Sequence, residues 1–475
     1  MRSLAVALVL LAACSARADE GLAPASQAVG RERVAGFGLS LSLEGGLLER
    51  DLWAGGSVGA GFEHEAFALR LRAPLQLRVL DLAPESPRPP GFCAVVRCEA
   101  FGVHEEGFEV EGISRVVEEL RLGRPEEAVY ARGGPLLATL GSGRLIERYL
   151  NSPDPDRPQS GLLLVARLPW LGLSLEGLVG NLLVPQKLSA LRLEARPLRL
   201  LSFLDEEDPM ARLFGRLALS LEGAGDLVVP VSPYGARPPL ARARPLLGSA
   251  LEVAWPLLDE GGWLQLAPFA AGSLLYGLSS TGDVTGELGV GASAGGRAEL
   301  RVPYLGLRVD GEVVADSPAH RTGVFGLLYD IERKHALAGA VVDGGGIARV
   351  PARGGLGFAL GAEAVVASAL RLGVRYRRDT ADGGSTGEAF AEVALFSFRA
   401  GAHAVRRDLE RLEDALAWDE RTLLVVEGAW GFFGPLSAFA RYQRAPRFAD
   451  GKLRVDDDVQ VGVSLDLVLA PPEGG

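Results

Sequence analysis

The sequence predicts an all-β fold: a single large antiparallel transmembrane β-barrel of about 16 to 20 strands, with minor helices confined to loops. Three observations lead there. The chain has 475 residues, 62 of them glycine, and is 48% hydrophobic, yet beyond its first residues no apolar run approaches the roughly 20 residues a membrane helix needs. Its last strand-like run puts Val459, Val461, Val463, Leu465, Leu467 and Leu469 on one parity and Gln460, Gly462, Ser464 and Asp466 on the other. That is the period of a β-strand, over about the length a tilted strand needs to cross a bilayer. The same alternation recurs through most of the chain, and in lipid only a closed barrel leaves no strand edge unpaired.

Taken in order, the chain begins with Arg2, the apolar stretch Leu4 to Ala13 and Ala16-Arg17-Ala18, a secretory signal with an A-x-A cleavage site after residue 18. Leu11-Ala12-Ala13-Cys14 fits a lipoprotein signal as well; residues 1–13 are then removed and Cys14 carries the lipid. Either route leaves Cys93 and Cys98 as a pair for a local disulfide in an oxidising compartment. Residues 19–34 have no period and read as a leader, 35–470 as the barrel, and 471–475 as a C-terminal tail.

Within the barrel, Phe67, Leu69, Leu71, Ala73, Leu75, Leu77 and Val79 share one parity while Arg70, Arg72, Gln76 and Arg78 share the other. Arg297 to Val313 repeats the scheme across a turn near Pro303-Tyr304-Leu305-Gly306. There Arg297, Glu299, Arg301, Arg308, Asp310 and Glu312 fall on one face, so antiparallel pairing predicts a cross-strand ladder of opposite charges. Similar runs are Phe37 to Leu43, Gly161 to Leu168, Leu173 to Val179, Leu188 to Leu198, Leu217 to Leu221, Leu246 to Trp255, Leu264 to Tyr276 and Gly286 to Ala294. Val324 to Tyr329, Leu356 to Val366, Leu370 to Tyr376, Glu388 to Phe398, Leu423 to Phe433 and Leu436 to Tyr442 complete the set. Asp259-Glu260-Gly261-Gly262, Asp382-Gly383-Gly384-Ser385 and Asp450-Gly451 supply turns that tolerate positive φ. Asp408 to Trp418 spaces Leu409, Leu412 and Leu416 as in a short amphipathic helix behind an Asp408 cap.

Composition and motifs exclude more than they assign. A net charge of −11 with no segregated basic face argues against nucleic acid. Lysine occurs only at Lys187, Lys334 and Lys452, none in a G-K-[ST] phosphate loop, and the sequence calls for no cofactor. Gly291-Ala292-Ser293-Ala294-Gly295 matches the G-x-S-x-G elbow, but Arg297 to Val302 continues as strand where that chemistry needs a helix. His64, His104, His320, His335 and His403 have no metal-ligand spacing, and Glu63-His64-Glu65 reads as a solvated hairpin turn. Asp205-Glu206-Glu207-Asp208 lacks the alternation of a calcium loop. No catalytic set or metal site is expected, although groups assembled only in space leave no contiguous trace.

Two segments carry a resemblance. Gln460, Gly462, Leu465 and Leu467 resemble the C-terminal assembly signal of outer-membrane β-barrels, departing from it where Ala470 to Gly475 follows instead of a terminal aromatic. Leu140 to Arg157 is similar to an L-G-x-G...R-Y-x-N stretch of uncharacterised outer-membrane barrel proteins. The resemblance implies the cell outer membrane, its lipid and the barrel assembly machinery as surroundings. Leu140 to Arg157 also holds Arg144, Glu147, Arg148, Tyr149 and Asn151 beside a Pro-Asp stretch no strand accommodates. Folded into the lumen, those five side chains narrow it and set its field. The leading reading is therefore a non-enzymatic, porin-like channel for small hydrophilic solutes or ions. A plugged structural or assembly barrel, and a soluble or lipid-anchored periplasmic β-rich binding protein, are the alternatives. An aromatic content of 7% is low for membrane-interface girdles.

Overall fold

The computed structural model describes residues 36–48, 51–82, 91–94, 116–125, 127–151, 159–200, 213–230, 243–258, 263–279, 286–326, 329–332, 354–367, 369–379, 385–409, 411, 413–414, 417, 419, 421–449 and 452–469. The strands are β1 Gly36–Leu48, β2 Asp51–His64, β3 Phe67–Asp81, β4 Gly91–Ala94, β5 Val117–Leu122, β6 Val129–Gly134, β7 Leu137–Ala138, β8 Ile146–Glu147 and β9 Tyr149–Leu150. They continue as β10 Gly161–Leu168, β11 Leu173–Val179, β12 Ser189–Ala195, β13 Ala218–Pro230, β14 Ala243–Ala254, β15 Leu264–Tyr276, β16 Leu288–Val302, β17 Leu305–Asp316 and β18 Phe325–Gly326. Last come β19 Gly355–Val366, β20 Leu370–Asp379, β21 Ser385–Leu395, β22 Phe398–Arg407, β23 Thr422–Phe433, β24 Leu436–Ala449 and β25 Lys452–Leu469. β7, β8, β9 and β18 stand apart in two small two-stranded sheets.

All the other strands but β4, which pairs with β3 alone, pair antiparallel with a neighbour on each side until β25 meets β1, from Phe37 opposite Leu469 to Leu47 opposite Val459. β4 and β5 share one place in the wall, because β4 pairs with the Leu75–Arg78 part of β3 and β5 with Phe67–Leu71. Counted that way the barrel closes with 20 strands.

Alternation decides which side meets lipid. Leu39, Leu41, Leu43, Val58, Val309, Val313, Leu356, Leu360, Val459, Val461, Val463 and Leu467 are exposed on the outside. Residues of the other parity reach one another through the interior. Arg72 on β3 crosses behind β2 to Glu44 on β1 at 3.2 Å, and Gln460 on β25 donates to the same carboxylate at 2.8 Å. The arrangement is inside-out relative to a water-soluble sheet, which keeps its apolar face in a shared core. It removes the soluble binding-protein alternative.

The two ends of the barrel differ. On one, β2–β3, β16–β17, β21–β22 and β23–β24 are joined by two-residue turns, and both ends of the wall, Gly36 and Leu469, lie there. Exposed Phe62, Trp170, Trp263, Tyr304, Phe396 and Phe433 all sit at this rim. The few aromatics are thus concentrated where a membrane interface favours them. Tyr304 and Phe396 hold φ of 68° and 52°, so two of the tight turns carry an aromatic in a left-handed conformation that glycine would adopt more cheaply. The other end carries the two-residue turns β1–β2 and β24–β25 and most of the longer connections, the β12–β13 connection of residues 196–217 lying on the first.

Several sequence expectations need correction. Val324 to Tyr329 is not a wall strand: Phe325 and Gly326 form β18 inside the barrel, and Tyr329–Glu332 is a short helix. Glu388 to Phe398 is a hairpin, with Phe398 opening the next strand. The charged ladder on β16 and β17 keeps the expected register, Arg297 opposite Asp310 and Glu299 opposite Arg308. Its ion pairs go elsewhere, because Arg301 takes Glu299 at 2.6 Å while Arg375 reaches Asp310 at 3.7 Å. Asp408 stands at φ 53°, not the extended geometry of a helix cap, and the described residues after it make i to i+3 turns, Asp414 to Arg411 and Ala417 to Asp414. The signal and lipidation sites (Cys14 included), Cys98, His104, His335, Asp205 to Asp208 and the tail lie outside the described residues. So does the side chain of Cys93.

Candidate functional site: a segment folded across the lumen

Between β6 and β10 the chain leaves the wall at Gly134 and returns at Gly161, which face each other in register. The described residues 135–151 between them are directed into the barrel. β7 and β9 form a minimal hairpin, Leu137 opposite Leu150, and β8 pairs in parallel with β18 from the connection between β17 and β19. Leu136, Leu140, Leu145, Ile146 and Tyr149 are buried with Phe325 and Tyr329 against the inner face of the wall at Leu178, Leu188, Leu246 and Leu275. A hydrophobic core inside a membrane barrel needs such an inner segment, since the wall's own apolar residues face lipid.

Polar groups fix the position of this core. Asn151, fully buried, accepts from Leu136 N at 2.8 Å. Its amide donates to the carbonyls of Gly134 at 3.3 Å, Gln159 at 3.1 Å and Gly180 at 3.1 Å. One side chain thereby ties both ends of the inner segment to the wall. Tyr149 donates to Asp330 at 2.9 Å and Tyr329 to Asp226 of β13 at 2.8 Å. A Cβ at Gly180 would strike the Tyr149 hydroxyl, so glycine there makes room for the ring.

The remaining predicted residues point to other parts of the wall. Arg144 donates to Ser293 of β16 at 2.6 Å, pairs with Glu312 of β17, and lies with its guanidinium carbon 5.4 Å from the Phe269 ring centroid. Glu147 accepts from Arg375 and Arg377 of β20 at 2.9 Å each. Arg148 lies 2.9 Å from Glu388 of β21 and 4.6 Å from the Phe390 ring centroid, and Glu388 also meets His403 of β22 at 2.7 Å. Arg148 has φ 50°, a left-handed conformation that costs a non-glycine residue about 1 kcal/mol or more and is kept only when its surroundings enforce it. All five candidates are therefore brought together on one luminal element. Tyr149 and Asn151 hold it in place, whereas Arg144, Glu147 and Arg148 form its charged edge.

Sequence reasoning missed the partners. Glu312, Arg375, Arg377, Glu388 and His403 sit on inward parity and were visible as such, but which wall strand an inner segment meets is set by the barrel's closure. Between this edge and the rim of short turns lie Arg297 and Arg308, which make no ion pair among the described residues. Ser293 of the G-x-S-x-G stretch lies on the unbroken strand β16, so no nucleophile elbow exists there. His64 ends β2 on the exposed rim, while Glu63 turns inward to Arg70 at 2.6 Å and Arg121 at 3.4 Å. Among the described residues there is no cluster of three metal-ligating side chains, and no helix is long and apolar enough to cross a membrane.

No protein-family model and no curated protein matches the sequence. Among solved structures the fold is similar to Pseudomonas aeruginosa OccK2 (OpdF) in complex with glucuronate, with TM-score 0.33 and 12% identity, covering 92% of this chain and 96% of that one. OccD3 (OpdP) of the same organism is similar at TM-score 0.33 and 11% identity, over 94% and 95% of the two chains. Acinetobacter baumannii OccAB4 is similar at TM-score 0.32 and 9% identity, over 91% and 97%. On its own strand pairing and its own outward apolar surface, the chain has the architecture of a large outer-membrane β-barrel.

Proposed function

We propose that the protein is a porin-like channel of the cell outer membrane, carrying small hydrophilic solutes or ions past the inner segment. The observation that carries this reading is the contrast between walls. The inner segment contacts β11 to β15 through its apolar core, β16 and β17 through Arg144, β20 and β21 through Glu147 and Arg148, and β22 to β24 through Leu137 and Leu150. No hydrogen bond or ion pair among the described residues joins it to Glu44, Ser57, Arg70, Arg72 or Gln460 on β1, β2, β3 and β25. That wall is lined by Glu44, Glu63, Arg70, Arg72 and Gln460, which bond to one another, a surface that suits a hydrated path. Bilayer lipid around the apolar belt and the barrel assembly machinery are the surroundings that go with this function.

The guanidiniums of Arg297 and Arg308, without an ion pair among the described residues, support a preference for anions, since fixed charge in a narrow, partly dehydrated passage acts at low effective dielectric. Reconstitution in planar bilayers tests the proposal. Wild-type protein should conduct, and Arg148→Glu, which sets a second carboxylate against Glu388, should move the reversal potential toward cations. A plugged structural barrel is the second reading, favoured by the number of wall strands the inner segment touches. Absence of conductance both in the wild type and after deletion of residues 141–158 establishes that reading instead.

A further inference from the structure

We infer that Ser273, His320 and Asp316 form a nucleophilic relay on the luminal wall, giving the barrel a serine-dependent acyl-transfer activity toward small carboxylic esters. Ser273 lies on the inward face of β15, Asp316 ends β17, and His320 stands in the turn that follows. His320 Nε2 is 2.9 Å from Ser273 Oγ, and His320 Nδ1 is 2.8 Å from Asp316 Oδ1. An ionised carboxylate only accepts, so Asp316 places the imidazole proton on Nδ1 and leaves Nε2 to accept from the serine hydroxyl. That is the order of contacts by which a serine is activated, and such a set is recognised by geometry, not by sequence order.

The surroundings hold the relay in this tautomer. Thr322 donates to Asp316 from its hydroxyl at 2.9 Å and from its backbone at 3.3 Å, and Val290 N of β16 donates to Ser317 Oγ at 2.7 Å. The His320 side chain is completely buried. A Cβ at Gly291 would strike its ring, and one at Gly289 would strike the backbone of Ala319, so two glycines on β16 let the turn lie flat against the wall. Ser273 faces Gly291 in register, and Ser293, which receives Arg144, is two residues further along the same face. Ser293 is thereby one diagonal step, about 7 Å, from Ser273, which brings the Arg144 that donates to it to the same stretch of wall. With Ser273 only 7% exposed, the site takes small acyl groups.

In the reaction Ser273 Oγ bonds to the ester carbonyl carbon while its proton passes to His320 Nε2. The carbon–oxygen bond to the alcohol breaks, the alcohol leaves with that proton, and an acyl-serine remains. Water then loses a proton to His320 and attacks the acyl-serine; the acid departs and the serine is restored. The activity is independent of whether the barrel conducts.

The full-length protein, in detergent, is treated with a fluorophosphonate probe and the adduct is mapped by mass spectrometry. Hydrolysis of p-nitrophenyl acetate is followed in parallel. The expected result is one adduct, on Ser273, abolished in Ser273→Ala and formed about 10³- to 10⁴-fold more slowly in Asp316→Asn, whose amide no longer enforces the tautomer. Heat-modifiable gel mobility shows that each variant retains its barrel. An adduct elsewhere, no adduct on folded wild-type protein, or an unchanged rate in folded Asp316→Asn overturns the inference. Should Asp316→Asn fail to fold, the wild-type adduct site and the Ser273→Ala result decide it.

Discussion

Replacing Val463 with arginine tests the inside-out reading at one residue. Val463 is the third of six outward positions between Val459 and Leu469, is 44% exposed, and lies between Leu43 of β1 and Ala438 of β24. Near the bilayer midplane an arginine on the lipid face costs about 2 to 4 kcal/mol. The matched control is Gln460→Arg on the same strand. Gln460 faces the lumen and donates to Glu44 at 2.8 Å, so an arginine keeps a donor on that carboxylate and should cost no more than about 1 kcal/mol. Ser464 is a poorer control, because its hydroxyl lies 2.6 Å from that of Ser437, which is buried. A difference near 2 kcal/mol corresponds to about a 30-fold change in the folded-to-unfolded ratio. Urea titration in lipid vesicles, read by heat-modifiable gel mobility, measures it. Equal losses at Val463 and Gln460 would refute the assignment of faces.

The inner segment yields further expectations. Asn151→Ala leaves Leu136 N and three carbonyls without their partner, so it should cost at least about 1 to 3 kcal/mol and open residues 135–151 to proteolysis while the wall stays intact. Glu147→Gln leaves the Arg375 and Arg377 guanidiniums without the carboxylate they share, which should raise hydrogen exchange in β8 and change conductance without altering heat-modifiable mobility. In the connection between β22 and β23, the hydrogen bond from Arg406 holds the Asp419 carboxyl below the ordinary aspartate range. A depressed carboxylate stabilises above its unfolded pKa and loses that contribution as pH falls through its folded value. Exchange protection at Arg421 and Thr422 should therefore be constant at neutral pH and fall only below about pH 4; loss already at pH 6 would contradict the role of Asp419.

How much of this was legible depended on what faced lipid. β10, β11 and β15 match the alternating runs residue for residue, because the polar residues of each run, Arg167 in β10, Ser174 and Glu176 in β11 and Gln265 and Ser273 in β15, keep to one parity and pin the register. β2 went unseen, since Gly55, Gly56, Gly59 and Gly61 interrupt its alternation. A Cβ at Gly59 would meet the Ser40 hydroxyl on the neighbouring strand, so close packing between strands erased the pattern that identifies them. β5 and β6 are six residues each, too short for a period to stand out. The inner segment was marked by its Pro, Gly and charged residues, but the sequence held no sign that Glu147 meets β20 or that Tyr149 meets Asp330. The relay of Ser273, His320 and Asp316 is likewise assembled by strand neighbours and a turn, with no spacing to betray it.

The seam between β1 and β25 has a consequence for the order of folding. Phe37 and Leu469 are partners across more than nine-tenths of the chain, so the wall cannot be completed until the final strand has been delivered. Bringing ends that far apart together costs about 3 kcal/mol more in loop entropy than closing a ten-residue hairpin, and every preceding hairpin can form first. A nascent chain lacking β25 would hold two unsatisfied edges, β1 and β24, each able to capture a strand from another molecule. Quality control therefore has a single structural checkpoint: until the eighteen residues of β25 dock, the sheet is an open, adhesive ribbon.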